Sequence, residues 1–160
     1  MSEDSDLTHT DPDGSVDMVD VGDKPAVNRR AVAEGTIHLQ AETVAAINDT
    51  DVSKGDVIAT ARIGAIQAVK RTWDTIPMCH QIPITNINTS FDIANEKITL
   101  MVTVETTAQT GCEMEALNGV TTGLNVIWDM VKSAEKNRDG QYPTTRITDV
   151  KVTSKQKGGK

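Results

Sequence analysis

Asp129 and Lys132 stand three residues apart in WDMVKSAEK, close enough on a helix for a carboxylate and an ammonium to meet, and Lys136 extends the row. In isolation such a pair is most often a surface ion pair. The apolar flanks Trp128 and Val131 would instead set it at the rim of a groove, where the two groups could act as acid and base. Glu113 and Glu115 in TGCEMEALNG form a second acidic pair. Thr110 and Glu113 have the spacing of a capping box, which gives Glu113 a structural role at a helix start. Two helical positions separate side chains by roughly 200°, so both acids serve one site only where Glu113 lies at the helix edge. Glu115 is the stronger functional candidate.

Cys79 and His80 sit side by side in PMCHQIPIT, in a chain with two cysteines and three histidines. On a strand, adjacent side chains point to opposite faces, which argues against a nucleophile and base acting together. A metal needs three or four convergent ligands, so no metal site is expected. Cys79 reads as a small buried hydrophobe, and His80 as a hydrogen-bonded corner residue or a ligand contact. Lys54 precedes a helix in SKGDVIATAR, where a cation opposes the helix dipole unless an anion compensates. Gly55 would let that anion approach the free N–H groups, although no GxxxxGK pattern makes this a P-loop. Arg29, Arg30, Lys151, Lys155 and Lys157 are further cations.

The elements that must position these residues alternate between two periodicities. Residues 29–40 are rich in strand formers and 41–49 read as a short helix. From Asp56, small and apolar residues at helical spacing predict one helix that ends near Pro77. Residues 82–94 and 97–108 alternate around a short turn, which predicts a hairpin. Residues 111–137 carry a stripe through Met114, Leu117, Thr121, Leu124 and Val131, a long helix, and 144–155 alternate again. The order β, paired α, β, β, α, β is the split βαβ pattern of ferredoxin-like α+β folds: an antiparallel sheet with helices on one face. The other face calls for a partner chain, so an oligomer is expected.

The 160 residues suit one domain, with 1–16 an acidic, disordered arm, 17–156 a single catalytic domain and 157–160 a flexible tail. Aromatic residues make up only 2%, which argues against base stacking. A net charge of −7 repels nucleic acid and anionic membranes alike, so basic residues for an anionic ligand must be gathered locally. The acidic start does not read as a secretory signal and the cysteine spacing supports no disulfide framework, so a cytoplasmic protein with free thiols is expected. The acidic balance also suits a salt-rich cytosol, and melting in graded KCl should then show stabilisation.

Four separated stretches, MVDVGDKP, KGDVIATARIGAIQAVKRTWDTIPMCH, GCEMEALNGV and WDMVKSAEK, together resemble the molybdenum cofactor biosynthesis protein C family, MoaC, from about Met18 to Lys155. The resemblance implies a ferredoxin-like fold and a homohexamer, a trimer of dimers with active sites between subunits. It implies conversion of a cyclised dihydro-GTP to cyclic pyranopterin monophosphate with release of pyrophosphate. Carried over by motif, Asp129, Lys132 and Lys54 are catalytic. Met78, Cys79, His80, Glu113, Met114, Glu115, Arg29 and Lys155 bind substrate. No cofactor is tightly bound, although Mg²⁺ could accompany the phosphates. A non-catalytic purine-nucleotide-binding regulatory module is the alternative. The sequence departs from the family pattern at Gln81, where proline is usual, and at Asn118-Gly119, where small alanine-like pairs are usual.

Overall fold

A computed structural model describes residues 14–158, so most of the acidic arm expected over 1–16 lies outside the described residues. The elements are β1 (Val27–His38), α1 (Ala41–Asn48), α2 (Val57–Lys70), α3 (Thr72–Thr75), β2 (Ile84–Ile93), β3 (Lys97–Ala108), α4 (Glu113–Glu135) and β4 (Arg146–Lys157). The fold is α+β, with a four-stranded antiparallel sheet in the order β2-β3-β1-β4. Gly158 N–H donates to Asn28 O at 2.9 Å, carrying the pairing of β4 into the stretch read as the tail.

The strand alternation becomes the core. Ala31, Ala33 and Ile37 of β1 pair with Val104, Val102 and Ile98 of β3, and all six are buried. Between them Gly35 faces Leu100, and a Cβ at Gly35 would meet Val120 and Leu124 of α4 at 2.8 and 2.9 Å. The missing side chain therefore lets the helix lie close on the sheet. The opposite face of the same strands carries polar pairs beside the apolar Val32 and Met101: Arg30 pairs with Glu105 at 3.5 Å, and Thr36 bonds Thr99 at 2.9 Å.

The single helix expected from Asp56 to Pro77 is interrupted at Arg71, whose φ of −116° and ψ of 17° leave the α region. The carbonyls released there find donors. Thr72 Oγ1 donates to Ala68 O at 3.0 Å and Val69 O at 3.2 Å, and Asn118 Nδ2 donates to Ala68 O at 3.0 Å. Beside it, a Cβ on Gly119 would meet Val69 at 2.8 Å. The Asn118-Gly119 departure thus has a physical role: the glycine admits α2, and the amide satisfies its frayed end.

Candidate functional site

At the N-terminal end of α4, a cleft of about 440 Å³ is lined by Met78, Cys79 and His80 from the loop before β2 and by Glu113, Met114 and Glu115 from the first turn of α4. Six residues expected at the substrate therefore share one cleft. Cys79 and His80 are not on a strand, because β2 begins only at Ile84. The alternation expected to send them apart does not operate in this irregular segment, and both line the same cavity.

The capping box does not form. The N-cap of α4 is Cys112, which makes no side-chain cap bond, and Glu113 is the first helical residue. At that edge Glu113 swings back, and its Oε1 pairs with Lys155 Nζ of β4 at 3.1 Å. Gly111 leaves room for this position of the side chain, since a Cβ there would meet the Glu113 carboxyl. Both acids consequently face one cleft despite their two-residue spacing.

Glu115 is 4% exposed and forms no ion pair among the described residues. Burial drives its carboxyl up to about 7; its own amide N–H opposes the rise, and the Glu113 charge adds to it. A carboxyl with that proton affinity can give or take a proton at neutral pH. Burial first, and the Glu115 charge second, push the Cys79 thiol up as well. Cys112, buried beneath the cleft, is raised to about 11 by burial and then by Glu115 and Glu113, and its Sγ donates to Val104 O at 3.4 Å. Burial and neighbouring carboxylates thus disfavour the thiolate at both positions.

A recess of about 180 Å³ adjoins this cleft, sharing Gly111 and Glu113 with it, and gathers Arg29, Arg30, Lys155 and Lys157. In a chain of net charge −7, this is the local concentration of cations an anionic ligand requires. Arg29 is partly committed: its Nε donates to Ala108 O at 3.0 Å and its Nη2 to Gln109 O at 2.8 Å. It therefore also holds the segment that leads into α4.

Asp129, Lys132 and Lys54 form a separate cluster near the other end of α4. Asp129 Oδ1 accepts from Lys132 Nζ at 2.7 Å and Oδ2 from Lys54 Nζ at 3.1 Å, while its backbone carbonyl accepts from Lys54 at 2.6 Å. Lys54 reaches across because Gly55, at φ +97°, turns the chain just before α2, whose N-cap Asp56 accepts from Ala59 N–H at 2.9 Å. The Lys132 hydrogen bond, then that of Lys54, holds the Asp129 carboxyl below the usual carboxylate range, and Asp129 in turn raises Lys132. Asp129 and Lys132 are thereby held in their charged forms, not poised to exchange a proton. Lys136 leaves this row and stands over the Tyr142 ring at 5.9 Å.

Fourteen helical residues separate Glu115 from Asp129, roughly 21 Å along the axis at about 1.5 Å each. One chain therefore presents the expected site residues as two groups that do not converge. Lys24, Val19 and Val21, which also line the large cleft, were given no role in the sequence, although MVDVGDKP, which holds them, is one of the four stretches that carry the family resemblance. Among the described residues no three His, Cys, Asp or Glu side chains gather as a metal cluster would require, and no helix is long and apolar enough to cross a membrane.

Comparison with known proteins bears on this arrangement. The chain is 65% identical over 98% of its length, and 98% of the relative's, to a "probable cyclic pyranopterin monophosphate synthase" of Natronomonas pharaonis. It is 63% identical to a protein of the same name from Halobacterium salinarum, covering 97% of this chain and 95% of that one. A Methanothermobacter thermautotrophicus relative, 52% identical over 94% of each chain, is named a "probable cyclic pyranopterin monophosphate synthase accessory protein". The sequence pattern of the MoaC family covers residues 18–158, from the segment before β1 that carries Lys24 to just past β4, and so takes in both polar clusters: the chain belongs to the MoaC family.

Proposed function

We propose that the protein is a cyclic pyranopterin monophosphate synthase, a phosphorus–oxygen lyase of molybdenum cofactor biosynthesis. It would convert a cyclised dihydro-GTP to the cyclic monophosphate and release pyrophosphate. The observation that carries this reading is the match along nearly the whole chain to relatives so named. The residues suit the chemistry. Departing pyrophosphate gathers negative charge, and Arg29, Lys54, Lys132 and Lys155 are the cations that would stabilise it. Ring rearrangement needs proton donors and acceptors, for which Glu115, with a proton affinity near 7, stands ready beside His80.

Asp129 takes its part through competition. In the free chain it holds two ammonium groups. Arriving phosphates would draw Lys54 and Lys132 toward themselves, and the carboxyl, relieved of its partners, would recover proton affinity and serve as acid and base. Because the two groups lie roughly 21 Å apart on one α4, a complete site joins the Glu115 cleft of one subunit to the Lys54, Asp129 and Lys132 cluster of another. This fits a homohexamer built as a trimer of dimers on a ferredoxin-like fold, for which the strand order β2-β3-β1-β4 and the two crossover helices α2 and α4 speak. Mg²⁺ enters this reading only as a companion of the substrate phosphates, and the site of action is the cytoplasm.

Single-turnover conversion of the cyclised dihydro-GTP, followed by pyrophosphate release, tests the proposal on wild type and Lys132→Ala. Turnover abolished with binding retained is the expected result. Unchanged turnover would reduce the Asp129–Lys132 row to a surface ion pair. No turnover in wild type would favour the regulatory nucleotide-binding module, a reading for which the accessory-protein name of one relative speaks.

A further inference from the structure

The segment before β1 crosses the large cleft as an extended strap. Val19 and Val21 are half-buried, whereas Met18, Asp20 and Gly22 between and beside them face outward. This period of two turns the inward pair onto the cavity that Met78 and Glu115 line from the other side. The strap then turns tightly. Asp20 Oδ1 accepts from Gly22 N–H at 2.8 Å, and Lys24 N–H donates to Val21 O at 3.0 Å. That turn carries Lys24 to the cleft wall as well.

Two carboxyls line the same cavity, yet Lys24 forms an ion pair with neither. Glu113 is already held by Lys155. Burial leaves Glu115 largely able to keep its proton near neutral pH, which lowers its claim on a cation. Lys24 is thus a cation at the cleft wall that forms no ion pair among the described residues. An ammonium is a compact point charge with three donors, suited to phosphate oxygens and poorly suited to planar recognition of a base. Its exposed position costs little to reorganise around a ligand.

We infer that Lys24 is a further binding residue of this cleft and that its ammonium takes a phosphate group of the purine nucleotide substrate. The inference rests on the function proposed above. It adds a cation from the N-terminal strap to those of the recess, so that the phosphate chain is held from two sides of the cleft mouth.

The test is equilibrium binding of GTP and of guanosine to the full chain, as wild type, Lys24→Ala and Lys24→Arg, with melting temperatures to establish folding. Lys24→Ala is expected to weaken GTP about tenfold, the lower end for a charge-assisted bond, to leave guanosine unchanged, and to be rescued by Lys24→Arg. Equal GTP affinity of wild type and Lys24→Ala overturns the inference, as does equal loss of GTP and guanosine or no GTP binding by wild type. Turnover of the cyclised dihydro-GTP is measured alongside. Lys24-dependent GTP binding without turnover sinks the function reading alone, and turnover without any Lys24 effect on GTP sinks the Lys24 assignment alone.

Discussion

Replacing Glu115 by Gln should stabilise the protein in a strictly pH-dependent way. The carboxyl is 4% exposed, and its burial lifts it from an ordinary 4.5 to about 7. At about 1.4 kcal/mol for each pH unit, that interval is worth about 3 kcal/mol. The sign follows from linkage. The folded state holds the proton more tightly than the unfolded chain, so the contribution is fully present below 4.5 and is lost as pH rises through about 7. Glutamine never ionises and loses nothing. Urea denaturation at fixed protein and salt concentration should therefore give wild type and Glu115→Gln similar stability at about pH 4.5, and an advantage of about 3 kcal/mol to the variant at about pH 8. The same variant should lose pyrophosphate release, because the neutral amide cannot move a proton. A stability difference that is the same at both pH values would refute the claim that burial of this carboxyl controls its ionisation.

Two further expectations concern packing. Gly123→Ala places a Cβ against Leu100 of β3, with Ala65 of α2 at 3.2 Å; overpacking there should cost about 1–3 kcal/mol, readable as a lower urea midpoint. Glu135 is fully buried, and its carboxylate accepts from Gln40 N–H at 3.1 Å and from Thr145 Oγ1 at 2.5 Å. Glu135→Ala strands both donors and should cost about 2–4 kcal/mol, whereas Glu135→Gln, which keeps an acceptor oxygen, should cost less in the same titration. Equal losses for the two variants would refute the hydrogen-bond account, because Glu135→Gln keeps both the side-chain volume and an acceptor oxygen.

The elements were legible wherever a local period dominates. β3 shows buried and exposed residues in near alternation. α4 buries Ala116, Val120, Leu124, Ile127 and Val131; of the stripe expected from the sequence Leu124 and Val131 lie on this face, whereas Leu117 and Thr121 are half-buried and Met114 is exposed. The break at Arg71 was not legible, because the donors that satisfy it include Asn118, far away on α4. Likewise, Thr110 and Glu113 spell a capping box, but the partner that wins Glu113 is Lys155, forty-two residues on. The candidate site residues were named one by one from the sequence, and their grouping into a cleft and a separate cluster was not. The long helix expected over 111–137 already implies the distance between Glu115 and Asp129, but nothing local states that the segment before β1 brings Lys24 to the cleft that Glu115 lines. Such facts arise from long-range packing, which local propensity does not encode.

The pairing of β1 on both sides also fixes an order of events during synthesis. Arg29 near the start of the chain lies opposite Thr106 on one side and Lys157 on the other. A growing chain can form the β1–β3 half of the sheet, but one edge of β1 stays open until the last strand emerges. That same strand delivers Lys155 to Glu113, and the residue just before it, Thr145, completes the shell around Glu135. Sheet closure, burial of the Glu135 side chain and assembly of the cation recess therefore become a single late step, and a ribosome stalled short of residue 146 would carry a nascent chain with an exposed, self-adhesive edge and no cation recess.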